Sequence, residues 1–247
     1  MDNIEYFIDI DTRSICVGIS HHMSNYAAMI KYCYENKLKL IKPVFRLTGS
    51  HNNGKEIISD LSIYYDLDNI LINNEKFTIY SESNIASKKY SLSGSLLRLM
   101  APFNSIKNNY DIQFPYNKTV IHIANDIVKK IGTEFMCIHV RRGDRITTKQ
   151  IDIDTQPQNI LNKIKENNAS TVYIMTNKIN ELKDLRNNKE HTIYFFDNFE
   201  ELKAIKDNYY LFSIENAIMD LASIKCSTFY TPTTKYNCHL TNNFGWQ

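Results

Sequence analysis

The sequence predicts an α/β protein built around a parallel sheet, and three observations carry that expectation. Between residues 134 and 231, short apolar runs alternate with amphipathic stretches, the order that strand–helix–strand units require. The same order opens the chain, where "CVGIS", a helical pattern and "KLKLIKP" follow one another. Hydrophobic residues are 43% and aromatic residues 12% of the 247, enough to fill a core and to argue against disorder.

After "CVGIS", Ser24 is the expected cap of a first helix. Ala27, Ile30, Cys33 and Tyr34 recur at three- and four-residue steps up to Lys37. "KLKLIKP" reads as a strand closed by Pro43. Residues 44–116 are less ordered in pattern: "SDLSIYYDL" reads as helix and "FTIY" as strand, and Asn- and Ser-rich stretches give no topology.

"NKTVIHIANDIVKKIG" carries an apolar stripe of Val120, Ile123, Ile127, Val128 and Ile131. Gly132 stands where a helix C-cap favours positive φ. Strands follow at "EFMCIHV", "TVYIMT", "HTIYFF" and "STFYT". Helices are expected at "PQNILNKIKENN", "NKINELKDLRNN" and "SIENAIMDLASIK", with a last one at "KYNCHLTNN". Four strands alternating with helices predict a doubly wound parallel sheet. A boundary near residue 130 gives two α/β lobes, 1–130 and 131–247, with a cleft between them.

Composition removes several functions. A formal charge of +2 lacks the basic surplus of nucleic-acid and anionic-membrane binders. No segment approaches the roughly 20 apolar residues of a membrane span. The N-terminus "MDNIEYFIDI" has no signal-peptide core, so a cytoplasmic location is expected. On that view the sequons at Asn117 and Asn168 stay unmodified. Five scattered cysteines suggest neither a metal set nor a framework of bridges, and point to a reducing compartment with Cys137 as a buried thiol.

One string recurs: "IDIDT" stands at 8–12 and again at 151–155. In a strand, alternation would place both aspartates of each copy on one face, where they could hold a divalent metal. Chance recurrence in a chain rich in Ile and Asp is the other reading.

The richest chemistry lies in "HVRRGD", residues 139–144, directly after an apolar strand. In open α/β sheets, ligands bind beyond the carboxyl ends of the strands. Arg141 and Arg142 suit phosphate oxygens, because guanidinium is planar, bidentate and permanently charged. Gly143 permits a sharp turn or close backbone approach, and Asp144 can hold an arginine or the turn. These residues describe a cationic clamp for a phosphate or diphosphate. A charged surface loop with an internal Arg–Asp pair has the same spacing. An adhesive Arg-Gly-Asp loop fits poorly beside a core strand.

"HVRRGD" resembles the His-x-Arg-Arg-x-Asp motif of the fucosyltransferase superfamily, which joins α1,2- and α1,6-fucosyltransferases with protein O-fucosyltransferases. Other segments resemble that family in the same order: "GISHHMSNYAAMIKYCYENKLKLIKP", "VYIMTN" and "IENAIMDLASIKCSTFYTPTT". The resemblance implies two Rossmann-like lobes in a GT-B-like arrangement, GDP-fucose as donor, inversion at the sugar carbon, and no metal or cofactor. The acceptor would be a glycan or protein hydroxyl. By position, Arg141 would meet the β-phosphate and stabilise the leaving GDP. His139 would lie against guanine, and Asp220 would accept hydrogen bonds from it. Thr233 and Thr234 would bind phosphate, while Arg142 and Asp144 shape the loop.

The sequence departs from the family pattern at three places. The opening turn is "VGISHH", with one Gly and no Asn; Asn177 stands where an Asp is common; and Lys149 stands where α1,6-type members carry a Glu. The acceptor base is therefore open, with His21, His22, Asp152 and Asp154 as candidates, His21 and Asp152 foremost. Two rival readings are a metal-dependent transferase using Asp152 and Asp154, and a non-catalytic nucleotide-sugar-binding relic.

Overall fold

The computed structural model describes residues 7–10, 16–81, 89–92, 111–142 and 149–227. The chain divides into two compact units: 1–118 with 207–210, and 119–206 with 211–247. The first of these divisions falls just after Lys118, the first residue of a helix.

In the first unit, β1 (Phe7–Ile10), β3 (Lys39–Ile41), β8 (Ile79–Tyr80) and β9 (Lys89–Leu92) form a four-stranded parallel sheet, ordered β8-β3-β1-β9. A second sheet sets β2 (Cys16–Val17) parallel to β4 (Phe45–Leu47), with β5 (Ile57–Ser59) antiparallel at its edge. A small antiparallel sheet joins β10 (Ile112–Gln113), β6 (Leu71–Ile72) and β7 (Glu75–Lys76).

Helix α1 (Ile19–Glu35) buries Ile19, His22, Tyr26, Met29, Ile30 and Cys33, the three- and four-residue steps of one face. It starts six residues earlier than expected. Gly18 is the N-cap, without a side-chain cap, and Ser24 lies inside the helix with its Oγ donating to the Ser20 carbonyl at 3.1 Å. "SDLSIYYDL" is not helical. Asp60 and Ser59 accept from the backbone N–H groups of Ser62 and Leu61 at 3.0 and 2.9 Å, and Leu61 sits at φ 68°. Short polar side chains win those N–H groups from a helix.

The second unit is built on four parallel strands: β13 (Thr192–Tyr194), β12 (Thr171–Thr176), β11 (Met136–Val140) and β14 (Ile224–Ser227), in that order. β11 and β12 are buried almost throughout, as expected when both faces of a parallel sheet are covered. Met136, Ile138 and Val140 join Val172 and Ile174 in a core completed by Ile160 and Ile164 and by Leu182 and Leu185.

The helices of this unit are α2 (Lys118–Ile131), α3 (Lys149–Asp154), α4 (Pro157–Glu166), α5 (Ile179–Leu182), α6 (Glu200–Lys203) and α7 (Asn208–Leu221). α2 buries Val120, Ala124, Ile127 and Ile131, and Gly132 closes it at φ 101°. α7 begins at Asn208, within the first unit, and ends at Leu221, so Lys225 belongs to β14 rather than to the helix. The stretch "NKINELKDLRNN" is one turn of α5 followed by a 3-10 segment over Lys183–Asn187.

The second "IDIDT" is not a strand. Its aspartates lie on α3, where residues two apart do not share a face. The geometric reason for pairing Asp152 with Asp154 around a metal is lost. The first copy contributes Ile8, Asp9 and Ile10 to β1, and its last two residues lie outside the described ones. Cys137 is buried as expected, with its thiol pushed well above the ordinary range by burial. Cys226, by contrast, is disulfide-bonded, against the expectation of unbridged cysteines.

Candidate functional site

β11 ends at Val140, so Arg141 and Arg142 leave the sheet at its carboxyl edge. Strand alternation sends neighbouring residues to opposite faces. Ile138 and Val140 face the aliphatic core with α4 and Leu182, and Arg142, just past the strand, reaches Glu181 of α5 and Thr155. Cys137 and His139 follow the opposite face, and the Arg141 charge acts on His139. There the His139 ring lies 5.9 Å from the Phe212 ring of α7, tilted by 56°.

The two arginines have different surroundings. Arg142 is 7% exposed and is surrounded by acceptors. Its Nε donates to Glu181 Oε2 at 2.8 Å, its Nη2 to Asp152 Oδ1 at 2.9 Å, and its Nη1 to Thr155 Oγ1 at 2.7 Å. Arg141 is half-buried, and its charge reaches His139. Burial first, and Arg141 second, depress the His139 imidazolium to a pKa of about 4. The ring is therefore neutral near pH 7, an aromatic surface with one donor and one acceptor nitrogen beside a fixed cation.

Asp152 stands in the sequence as a candidate base. In the structure, its Oδ1 accepts from Arg142 and, at 3.2 Å, from Gln156 Nε2. That geometry gives it the work of holding Arg142. Asp154 is buried at 4% exposure. Among the described residues, no group of three or more His, Cys, Asp or Glu side chains is placed to hold a metal.

Asp220 lies near the amino end of β14, its carboxylate 3.9 Å from Lys225 Nζ, whereas His139 and Arg141 lie at the carboxyl edge. The α7 acid that faces the strands is Glu215. It is 6% exposed and accepts from the Tyr173 hydroxyl at 3.0 Å. Burial pushes its carboxyl up to a pKa of about 8. Phe212 and Glu215 are three apart and so share a helix face, a spacing legible in the sequence. Glu181 stands 39 residues from Arg142, and no local pattern marks it.

In the first unit, His21 is exposed on the first turn of α1. His22 is buried, its Nε2 2.8 Å from the Arg46 carbonyl and its ring 4.9 Å from Phe45, and burial lowers its pKa. His22 is a core residue. Gly143, Asp144, Thr233 and Thr234 lie outside the described residues, and so does the side chain of Lys149.

No protein-family model matches the chain, and no curated protein matches its sequence. Solved structures do match its fold. POFUT1 in complex with GDP is similar over 91% of each chain, with a TM-score of 0.56 and 9% identity. POFUT1 in complex with GDP-fucose is similar over 91% of this chain and 90% of its own, again at 0.56 and 9%. A second crystal form of the GDP-fucose complex covers 90% of each chain, with a TM-score of 0.54 and 8% identity. Among the described residues, no helix is long and apolar enough to cross a membrane. The chain is an α/β protein with the fold of the fucosyltransferase POFUT1.

Proposed function

We propose that this protein is a glycosyltransferase that moves fucose from GDP-fucose to a hydroxyl of a glycan or protein acceptor, with inversion and without a metal. One observation carries the reading. Arg141 follows directly on the carboxyl end of the central β11, beside a neutral His139, in a chain that shares its fold with POFUT1 bound to GDP-fucose. The two-lobed GT-B-like arrangement, with a nucleotide-sugar lobe after residue 118, belongs to this proposal.

In this reading Arg141 contacts the β-phosphate. As the glycosidic bond breaks, negative charge grows on the diphosphate, and a fixed guanidinium stabilises that charge more in the transition state than in the ground state. His139, backed by Phe212, offers a flat uncharged ring to the guanine. Gly143, Asp144, Thr233 and Thr234 complete the phosphate and loop contacts. Asp220 is not included, because it lies toward the amino ends of the strands. His21 is the acceptor base of this proposal, since its neighbour His22 is enclosed in the core.

The test is calorimetry with GDP and GDP-fucose, in EDTA, on the wild type and on Arg141→Ala. Binding by the wild type that weakens about 10- to 100-fold in the variant is expected, the scale of a lost hydrogen bond to a charged group. A wild type that binds neither ligand removes the proposal.

A further inference from the structure

We propose that Arg142 is the anchor of the arginine motif rather than a ligand contact, and that Glu181, Asp152 and Thr155 are positioning residues that set Arg141 on the ligand side. This inference rests on the proposed transferase reading and adds three residues to its site.

The argument starts from donor counting. A guanidinium has five N–H donors in a rigid fork. In Arg142 all three nitrogens already donate within the protein: Nε to Glu181 at 2.8 Å, Nη2 to Asp152 at 2.9 Å and Nη1 to Thr155 at 2.7 Å. Nη1 also lies 3.4 Å from the Asp152 carbonyl. With Lys178 Nζ 3.9 Å from Glu181 Oε1, the ion pairs set two cations against two carboxylates, so this corner presents no net positive charge to a diphosphate.

The clamp gathers separate pieces of chain. Asp152 comes from α3, Thr155 from the turn after it and Glu181 from α5, while Arg142 leaves β11. Thr155 is fully buried, and the Arg142 side chain is 9% exposed against 45% for Asp152 and 39% for Glu181. The guanidinium is therefore fixed at the inner end while its carboxylates reach toward water. Fixing residue 142 constrains the backbone of its neighbour, residue 141, whose charge acts on His139. A lysine could not replace this fork, because a point ammonium lacks the planar set of donors.

The experiment measures GDP binding by calorimetry on folded protein, checked by far-UV circular dichroism, for wild type, Glu181→Ala and Glu181→Gln. Arg142→Lys is the companion variant, since removing the whole Arg142 side chain threatens folding. Glu181→Ala and Arg142→Lys are expected to weaken GDP about 5- to 10-fold, the coupling scale of residues that share a network. Glu181→Gln keeps the accepting oxygen and is expected to stay within about twofold of the wild type. A merely structural role would lower melting temperature without this rescue pattern in affinity. Folded Glu181→Ala that binds GDP like the wild type overturns the anchor assignment while leaving the transferase reading intact. A wild type that does not bind GDP overturns both.

Discussion

On one face of β11, Ile138 and Val140 pack among aliphatic side chains, and the face ends in Arg142, whose charge is enclosed by Glu181, Asp152 and Thr155. On the other, Cys137 and His139 look toward α7, where Glu215 and Phe212 stand. The first face is satisfied within itself. The second gathers groups whose protonation is displaced by burial: the His139 ring, the Glu215 carboxyl, the Tyr173 hydroxyl and the Cys137 thiol. Aliphatic packing and displaced protonation are thus divided across one strand, and alternation at a period of two is the means. Displaced titrations in an enclosed polar cluster are a mark of functional sites, though structural networks produce them too.

The largest expected effect uses the pH behaviour of that second face. The ordinary value for Glu215 is 4.5, and the folded value is raised to about 8. Below pH 4.5 both states hold the proton. As pH rises, the unfolded chain ionises first, so the stability contributed by Glu215 falls until the folded carboxyl titrates near 8. His139 has the opposite sign. Its folded value of about 4 lies below 6.5, so its contribution is present above pH 6.5 and is lost as pH falls toward 4. Glu215→Gln should abolish the alkaline decline, on the order of 3–5 kcal/mol, and leave the acid decline. Denaturant titrations at pH 5, 6.5 and 8 read both slopes. An unchanged alkaline slope in the variant would show that Glu215 is not held neutral.

The aliphatic face should respond without any pH signature. Ile138→Ala opens a cavity in a fully buried position and is expected to cost about 2–4 kcal/mol at every pH tested. Its GDP affinity, measured well below the melting temperature, should match the wild type. A marked loss of affinity in the folded variant would mean that the two faces are not independent.

The smallest effect sharpens the Glu215 assignment. Tyr173→Phe removes the hydroxyl that donates to Glu215 Oε1 and is expected to cost about 1 kcal/mol. That hydrogen bond favours the ionised carboxyl, so its loss should also move the alkaline transition to higher pH. A downward movement would reverse the donor and acceptor assigned to the pair.

Much of the second unit was legible from local pattern. The runs at "MCIHV" and "TVYIMT" are strands because near-continuous apolar segments suit a sheet covered on both faces, and Gly132 ends α2 because the chain turns there at φ 101°. The first unit was less legible. Its strands are two to four residues long, too short to set up a period, and polar side chains at Ser59 and Asp60 take backbone donors that the pattern assigned to a helix. The repeated "IDIDT" misleads for a related reason: four letters of alternation fit a strand, but at 151–154 the chain is helical.

By itself, the sequence determined the parallel α/β order around β11 and the placing of His139 and the arginines at a carboxyl strand edge, because periodicity and strand ends are local properties. Only tertiary structure decided which arginine is enclosed, that Asp152 serves Arg142, and that Glu215 rather than Asp220 faces the strands. Glu181 meets Arg142 across 39 residues and Glu215 meets Tyr173 across 42, and burial, which sets the protonation of His139 and Glu215, comes into being only when those distant segments pack.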